Sequence, residues 1–156
     1  SLATPADAEI ILKLYDLRRE TLMREARAWV LGEFWPATIE EYSAVAMNPA
    51  DPHNPFVRQV VGYWEMAAAL VLHGAVSPEL FVDCNAEGFF LLAKFAHILE
   101  DIRKTSPMFL QKTSEMIKRF TAAAAKYEVV QKNVESLRAR RVQQAAKVEY
   151  AYQQKS

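Results

Sequence analysis

Glu65 lies between Trp64 and Met66 in an apolar run, residues 60–72, and is the first residue whose type and place suggest chemistry. A carboxylate on an apolar helix is costly unless it is paired. Two arrangements satisfy it. An arginine from the N-terminal segment, Arg18, Arg19, Arg24 or Arg27, can bridge it in bidentate geometry. Alternatively Glu65 is the polar anchor of a ligand pocket lined by Tyr63, Trp64 and Trp29, with Arg18 and Arg19 as its cationic side. Buried charges in bundles are usually paired, so the arginine bridge is the expectation.

The remaining candidates are sparser. His97 and Asp101 stand four residues apart and would share one helix face, which offers two ligands and not a metal site. A histidine paired with a nearby carboxylate near a helix end is the plainer reading. Cys84, the single cysteine, would be activated at a helix N-terminus beside Asn85 and would otherwise be a small buried thiol. No glutamate stands three residues before any of the three histidines, so a ferritin-like di-metal site is not expected. Nucleophile elbows, phosphate-binding glycine loops and H-E-x-x-H are all missing from the sequence. No catalytic residue, metal ligand or cofactor is therefore assigned. The aromatic set Trp29, Phe34, Trp35, Tyr63, Trp64, Phe81, Phe89 and Phe90 falls at helical spacing and reads as core.

The elements that would position these residues are punctuated by four glycines and seven prolines. Thr4-Pro5, with Asp7 and Glu9 in the first turn, starts a helix whose apolar periodicity runs to about Trp35, where Pro36 stops it. Thr38 and Glu41 form a capping box for a short helix ending near Met47. The loop around Pro49, Pro52 and Pro55 leads into a central apolar helix that Gly74 ends in a left-handed cap. Ser77-Pro78-Glu79 opens a short helix, and Asn85 is the expected cap of the next, which runs to Arg103 and Lys104. Ser106-Pro107 opens the last segment, free of glycine and proline to the end.

That segment is too long for its body. A continuous helix over 107–152 would measure about 68 Å, whereas a compact globule of this size is roughly 39 Å across. It must bend, break or project, and the alanines at 122–125 favour projection. The expected fold is all-α: one helical domain over 1–156, a bundle with a long N-terminal helix and a long C-terminal helix projecting over 126–156. Val130, Val134, Leu137, Arg141, Ala145, Val148 and Tyr152 follow an approximate 4,3 spacing along it, a seam for self-association.

Charge adds exclusions. Nineteen basic residues balance nineteen acidic ones, so no global field attracts nucleic acid or anionic lipid. After Ala125 the basic residues exceed the acidic by four, which is more often a solvated helix face than a nucleic-acid footprint. No stretch is long and apolar enough for a membrane span, and one cysteine suits a reducing compartment, so the expected location is cytoplasmic. The chain opens on Ser1 rather than methionine, in keeping with an upstream segment removed or left outside this sequence.

The run Tyr63-Trp64-Glu65-Met66-Ala67, followed by His73-Gly74, Glu79-Leu80-Phe81 and Arg103, resembles a bacterial domain-of-unknown-function family, DUF4760, over residues 55–120. The resemblance implies a helical domain, often with an N-terminal membrane anchor that this chain does not show, and it implies no activity. The functional expectation is a non-catalytic helical interaction or self-association module, a homo-oligomer formed through the last helix. The alternative is a small-molecule-binding or enzymatic domain with its pocket around Glu65.

Overall fold

The computed structural model describes residues 2–155. Every element in it is a helix: α1 Pro5–Arg18, α2 Thr21–Ala28, a π-helix Trp29–Glu33, α3 Ile39–Ala46, α4 Asn54–Leu72, α5 Pro78–Cys84, α6 Glu87–Phe95, a 3-10 turn Ala96–Ile98, α7 Leu99–Thr105, α8 Gln111–Arg119 and α9 Thr121–Gln153. The fold is the all-α bundle the sequence implies. None of these helices is long and apolar enough to cross a membrane.

Short-range signals set most of the starts. The Thr4 side chain accepts from the Asp7 N–H at 3.3 Å while the Asp7 carboxylate takes the Thr4 N–H at 2.6 Å, a reciprocal box at α1. The other Asp7 oxygen accepts from the Ser77 N–H at 3.1 Å, which fixes the start of α1 against the start of α5. Thr38 caps α3 through the Glu41 N–H at 3.2 Å, and Ser77 caps α5 through that of Leu80 at 3.3 Å. At the end of α4, Gly74 takes φ +78°, the left-handed conformation that glycine adopts without a Cβ clash.

Three long helices of the sequence reading are interrupted. The N-terminal helix ends at Arg18 rather than near Trp35, because the Glu20 carboxylate accepts from the Met23 N–H at 3.1 Å and starts α2 afresh. The helix expected to run on to Lys104 is broken by the 3-10 turn at Ala96–Ile98. The last segment opens as α8 at Gln111, not at Pro107, and bends at Phe120, whose backbone is extended. Asn85 ends α5 instead of capping α6, which begins at Glu87.

The core lies around α4, which packs on α2, α3, α6 and α8 and buries Val60, Trp64, Ala67 and Val71. Asn54 joins α3 to α4, its side-chain amide donating to the Val45 and Ala46 carbonyls at 3.0 and 2.9 Å. These are α3 C-terminal groups with no partner inside their own helix. α9 lies across α5, α6 and α8, burying Ala123, Val130 and Val134. At 33 residues α9 is about 50 Å long. From residue 139 to 155 every position is exposed, so the last part of α9 projects as expected from the length of the segment.

Candidate functional site

Tyr63, Trp64 and Glu65 are consecutive on α4 and so point in three directions about 100° apart. Trp64 points into the core, only 2% exposed, and its indole N–H donates to Glu87 at 3.0 Å. Glu87 opens α6, where a carboxylate also faces the favourable end of the helix dipole. The Arg27 guanidinium of α2 grips the same carboxylate with both Nε and Nη2, the Nε contact at 3.0 Å. That bond is the main reason the Arg27 pKa is raised, against the desolvation that would lower it. Arg18 donates to the Asn85 side chain at 2.8 Å and lies over the rings of Tyr15 and Trp64, at 5.1 and 5.6 Å from their centroids. The Tyr63 hydroxyl donates to the Leu14 carbonyl, and burial raises its pKa.

The arginine that meets a half-buried glutamate is therefore Arg27, and the glutamate is Glu87. Glu65 faces the other way and makes no ion pair among the described residues. Its carboxylate accepts from the backbone N–H groups of Lys112 at 2.9 Å and Thr113 at 3.1 Å, and from the Thr113 hydroxyl at 2.8 Å. Backbone donors of a helix start fulfil the requirement that the sequence reading gave to an arginine. Arg19 lies over the Tyr15 ring at 5.3 Å, outside this network. Trp29 sits in the π-helix, stacked on His53 at 4.0 Å and on Phe34 at 4.9 Å. Of the six candidate residues, Trp64, Tyr63 and Arg18 come together around Glu87, whereas Glu65, Trp29 and Arg19 take separate places.

The space left beside Trp64 is a cavity of about 10 Å³, between Phe81, Gly88, Thr113 and Met116. That is room for one water at most. A larger open groove of about 590 Å³ runs past Lys13, Asp16, Glu20, Gln59 and Met66, and Tyr63 is the candidate residue that lines it. Among the described residues no buried side-chain nitrogen or oxygen lacks a hydrogen-bond partner.

The sequence reading passed over a second polar centre. Lys94 is 0% exposed, and its ammonium donates to the carbonyls of Val30 and, at 3.2 Å, Leu31. These belong to the π-helix, closed by the Phe34 N–H on the Trp29 carbonyl at 3.0 Å. The next carbonyl, Gly32, accepts from the Trp35 indole and from Arg141, both at 3.1 Å. Trp35 has Lys94, Arg141 and Arg138 over its ring at 4.3, 5.4 and 5.9 Å. Arg138 also donates to the Lys94 carbonyl at 2.6 Å, so two α9 arginines bind it to this corner. Burial pulls the Lys94 pKa down to about 7, with Arg141 and Arg138 pushing the same way and Glu33 opposing them. A lone cation in the apolar run of α6 was the available signal, the same one that singled out Glu65 on α4.

Other candidates resolve separately. His97 meets the Pro36 carbonyl at 2.9 Å and Asp101 pairs with Lys104 at 2.7 Å, because the 3-10 turn intervenes and the expected histidine–carboxylate pair does not form. Cys84 is the last residue of α5 and is exposed, neither at a helix N-terminus nor buried. Among the described residues no three His, Cys, Asp or Glu side chains gather where a metal ion could bind.

Residues 3–120 match the family model described as a domain of unknown function, DUF4760. No curated protein and no solved structure matches the chain. The matched stretch contains α1 to α8 and stops at Phe120, the residue before α9. With about three quarters of its length matched, the chain belongs to the DUF4760 family.

Proposed function

We propose that the chain is a non-catalytic helical module that self-associates through the projecting part of α9. One observation carries this reading. The α9 face that buries Ala123, Val130 and Val134 against the body continues, at the same helical spacing, into Ala145, Val148 and Tyr152, which are exposed. Val148 is 64% exposed and Tyr152 77%. A seam of this kind in an isolated helix is marginal in water, so a packed neighbour is its natural complement. The polar centre at Glu87 lends little support to the ligand-pocket alternative. Its arginine, tryptophan and carboxylate are already engaged with one another, and Glu65, the proposed anchor, is occupied by α8. The balanced net charge and the single exposed cysteine suit a cytoplasmic protein that does not bind nucleic acid.

The test is sedimentation equilibrium on the intact chain and on Val148→Asp. The variant places a charge on an exposed seam position and leaves the core untouched. The intact chain is expected to gain mass with concentration and the variant to remain monomeric. A monomer throughout, at concentrations up to hundreds of micromolar, would overturn the proposal.

A further inference from the structure

We infer that the partner is a second copy of this chain, bound antiparallel about a two-fold axis that passes between Ala146 and Lys147. This rests on the self-association reading and specifies its geometry. The exposed seam positions are Arg141, Ala145, Val148 and Tyr152, with steps of four, three and four. That series reads the same in both directions. An antiparallel copy therefore matches every position at once: Arg141 opposite the partner's Tyr152, and Ala145 opposite the partner's Val148. Each contact is made twice, as a two-fold interface requires.

Charge selects this direction. Arg138, Arg140 and Arg141 give the end of the projection next to the body a net positive charge, whereas toward the tip Glu149 balances Lys155 and the remaining marks are the rings of Tyr150 and Tyr152. A parallel pair stacks the arginines of one copy on those of the other, like charges in direct juxtaposition. The antiparallel pair sets them against the tip. Arg141, which already donates to the Gly32 carbonyl and lies over Trp35 of its own chain, then also meets the partner's Tyr152 ring and, one turn away, the partner's Glu149. An open hollow of about 540 Å³ on α9, lined by Leu137, Arg140, Arg141, Gln144 and Ala145, lies at the height where the partner's Val148 and Tyr152 would arrive. Beyond it the partner's Lys155 comes level with Arg138 at the edge of the body, where Arg138 is held by the Lys94 carbonyl and Glu33, exposed at the end of the π-helix, offers the nearby carboxylate.

A two-helix contact over some 15 residues buries an area near or below the low end of the roughly 1,200–2,000 Å² typical of stable complexes. The dimer is accordingly weak, and concentrations must be chosen for that.

Spin labels on the full chain, in a Cys84→Ser background, test the register. One variant carries the label at Gln144 and the other at Lys155. In the antiparallel pair the two copies of position 144 are offset along the axis by about 8 Å, and those of position 155 by about 26 Å. A short distance at 144 and a long one at 155, both lost in the added Val148→Asp variant, is the expected result. Short distances at both positions mean a parallel pair, which overturns this inference and leaves self-association standing. A dimer by sedimentation with long or no coupling at both positions places the contact elsewhere and overturns the inference and the α9 interface together. A monomer by sedimentation overturns self-association itself.

Discussion

The carboxylate of Glu65 on α4 takes the N–H groups of Lys112 and Thr113, the second and third residues of α8, as a capping side chain would. The residue in the cap position is Leu110, which has no side-chain oxygen and adopts φ 51°, a left-handed conformation unusual for a leucine. Leu110 is fully buried, so packing holds it there. Glu65 supplies the missing acceptor from another helix and places a negative charge at the positive end of α8. Glu65→Ala is expected to cost about 1–3 kcal/mol, and Glu65→Gln, which keeps one acceptor oxygen, less. Urea denaturation of the two variants checks this, and a midpoint unchanged in Glu65→Ala would contradict the capping role.

Lys94 makes stability depend on pH in a defined direction. Its folded pKa of about 7 lies below the roughly 10.4 of a free lysine, so between these values the unfolded chain binds the extra proton. Stability therefore rises from pH 7 upward, by at most about 1.4 kcal/mol per pH unit. The group adds no slope below pH 7, where both states are protonated. Tyr42, Tyr63 and Tyr127, raised by burial, act in the opposite direction only above about pH 10. The urea midpoint should be higher at pH 9 than at pH 7, and Lys94→Met should flatten that difference. Parallel profiles for the two proteins would place the titrating group elsewhere.

The Arg27–Glu87 pair is the polar joint between α2, α4 and α6, with both side chains 23% exposed. Arg27→Met leaves the carboxylate to the Trp64 indole alone, a loss expected to cost about 1–3 kcal/mol. Adding Glu87→Gln removes the uncompensated charge and should recover part of it. A double-mutant cycle is expected to give a coupling of roughly 1–2 kcal/mol, and a value near zero would make the pair incidental.

The contrast between these sites explains what the sequence reveals. Thr4 with Asp7, Thr38 with Glu41, Ser77 and Gly74 act on backbone groups a few residues away, so their roles are visible in the letters. Glu20 caps α2 equally locally, but glutamate is not a usual capping residue and the apolar period continues past it. The π-helix at Trp29–Glu33 depends on Lys94 and Arg141, more than 60 and more than 100 residues away, and no local pattern announces it. At the candidate site, the need of Glu65 for polar partners was legible and their identity was not, and the carboxylate is half-buried rather than mostly buried. Arginine was the obvious counter-charge, whereas two backbone N–H groups next to a leucine carry no sequence mark. The projection of α9 was legible from length alone, because a helix longer than its body has to leave it.

Hydrogen exchange of the α9 amides at increasing protein concentration reports directly on whether a second copy covers the projecting helix. In a monomer the amides of residues 142–153 belong to an exposed, fraying helix and exchange fast. If a second copy covers this stretch, their protection should grow as concentration rises from a few to several hundred micromolar. The amides near Val130 and Val134, already held against the body, should not change over the same range. Val148→Asp should abolish the growth. Exchange at 142–153 that stays fast and independent of concentration would contradict self-association through α9.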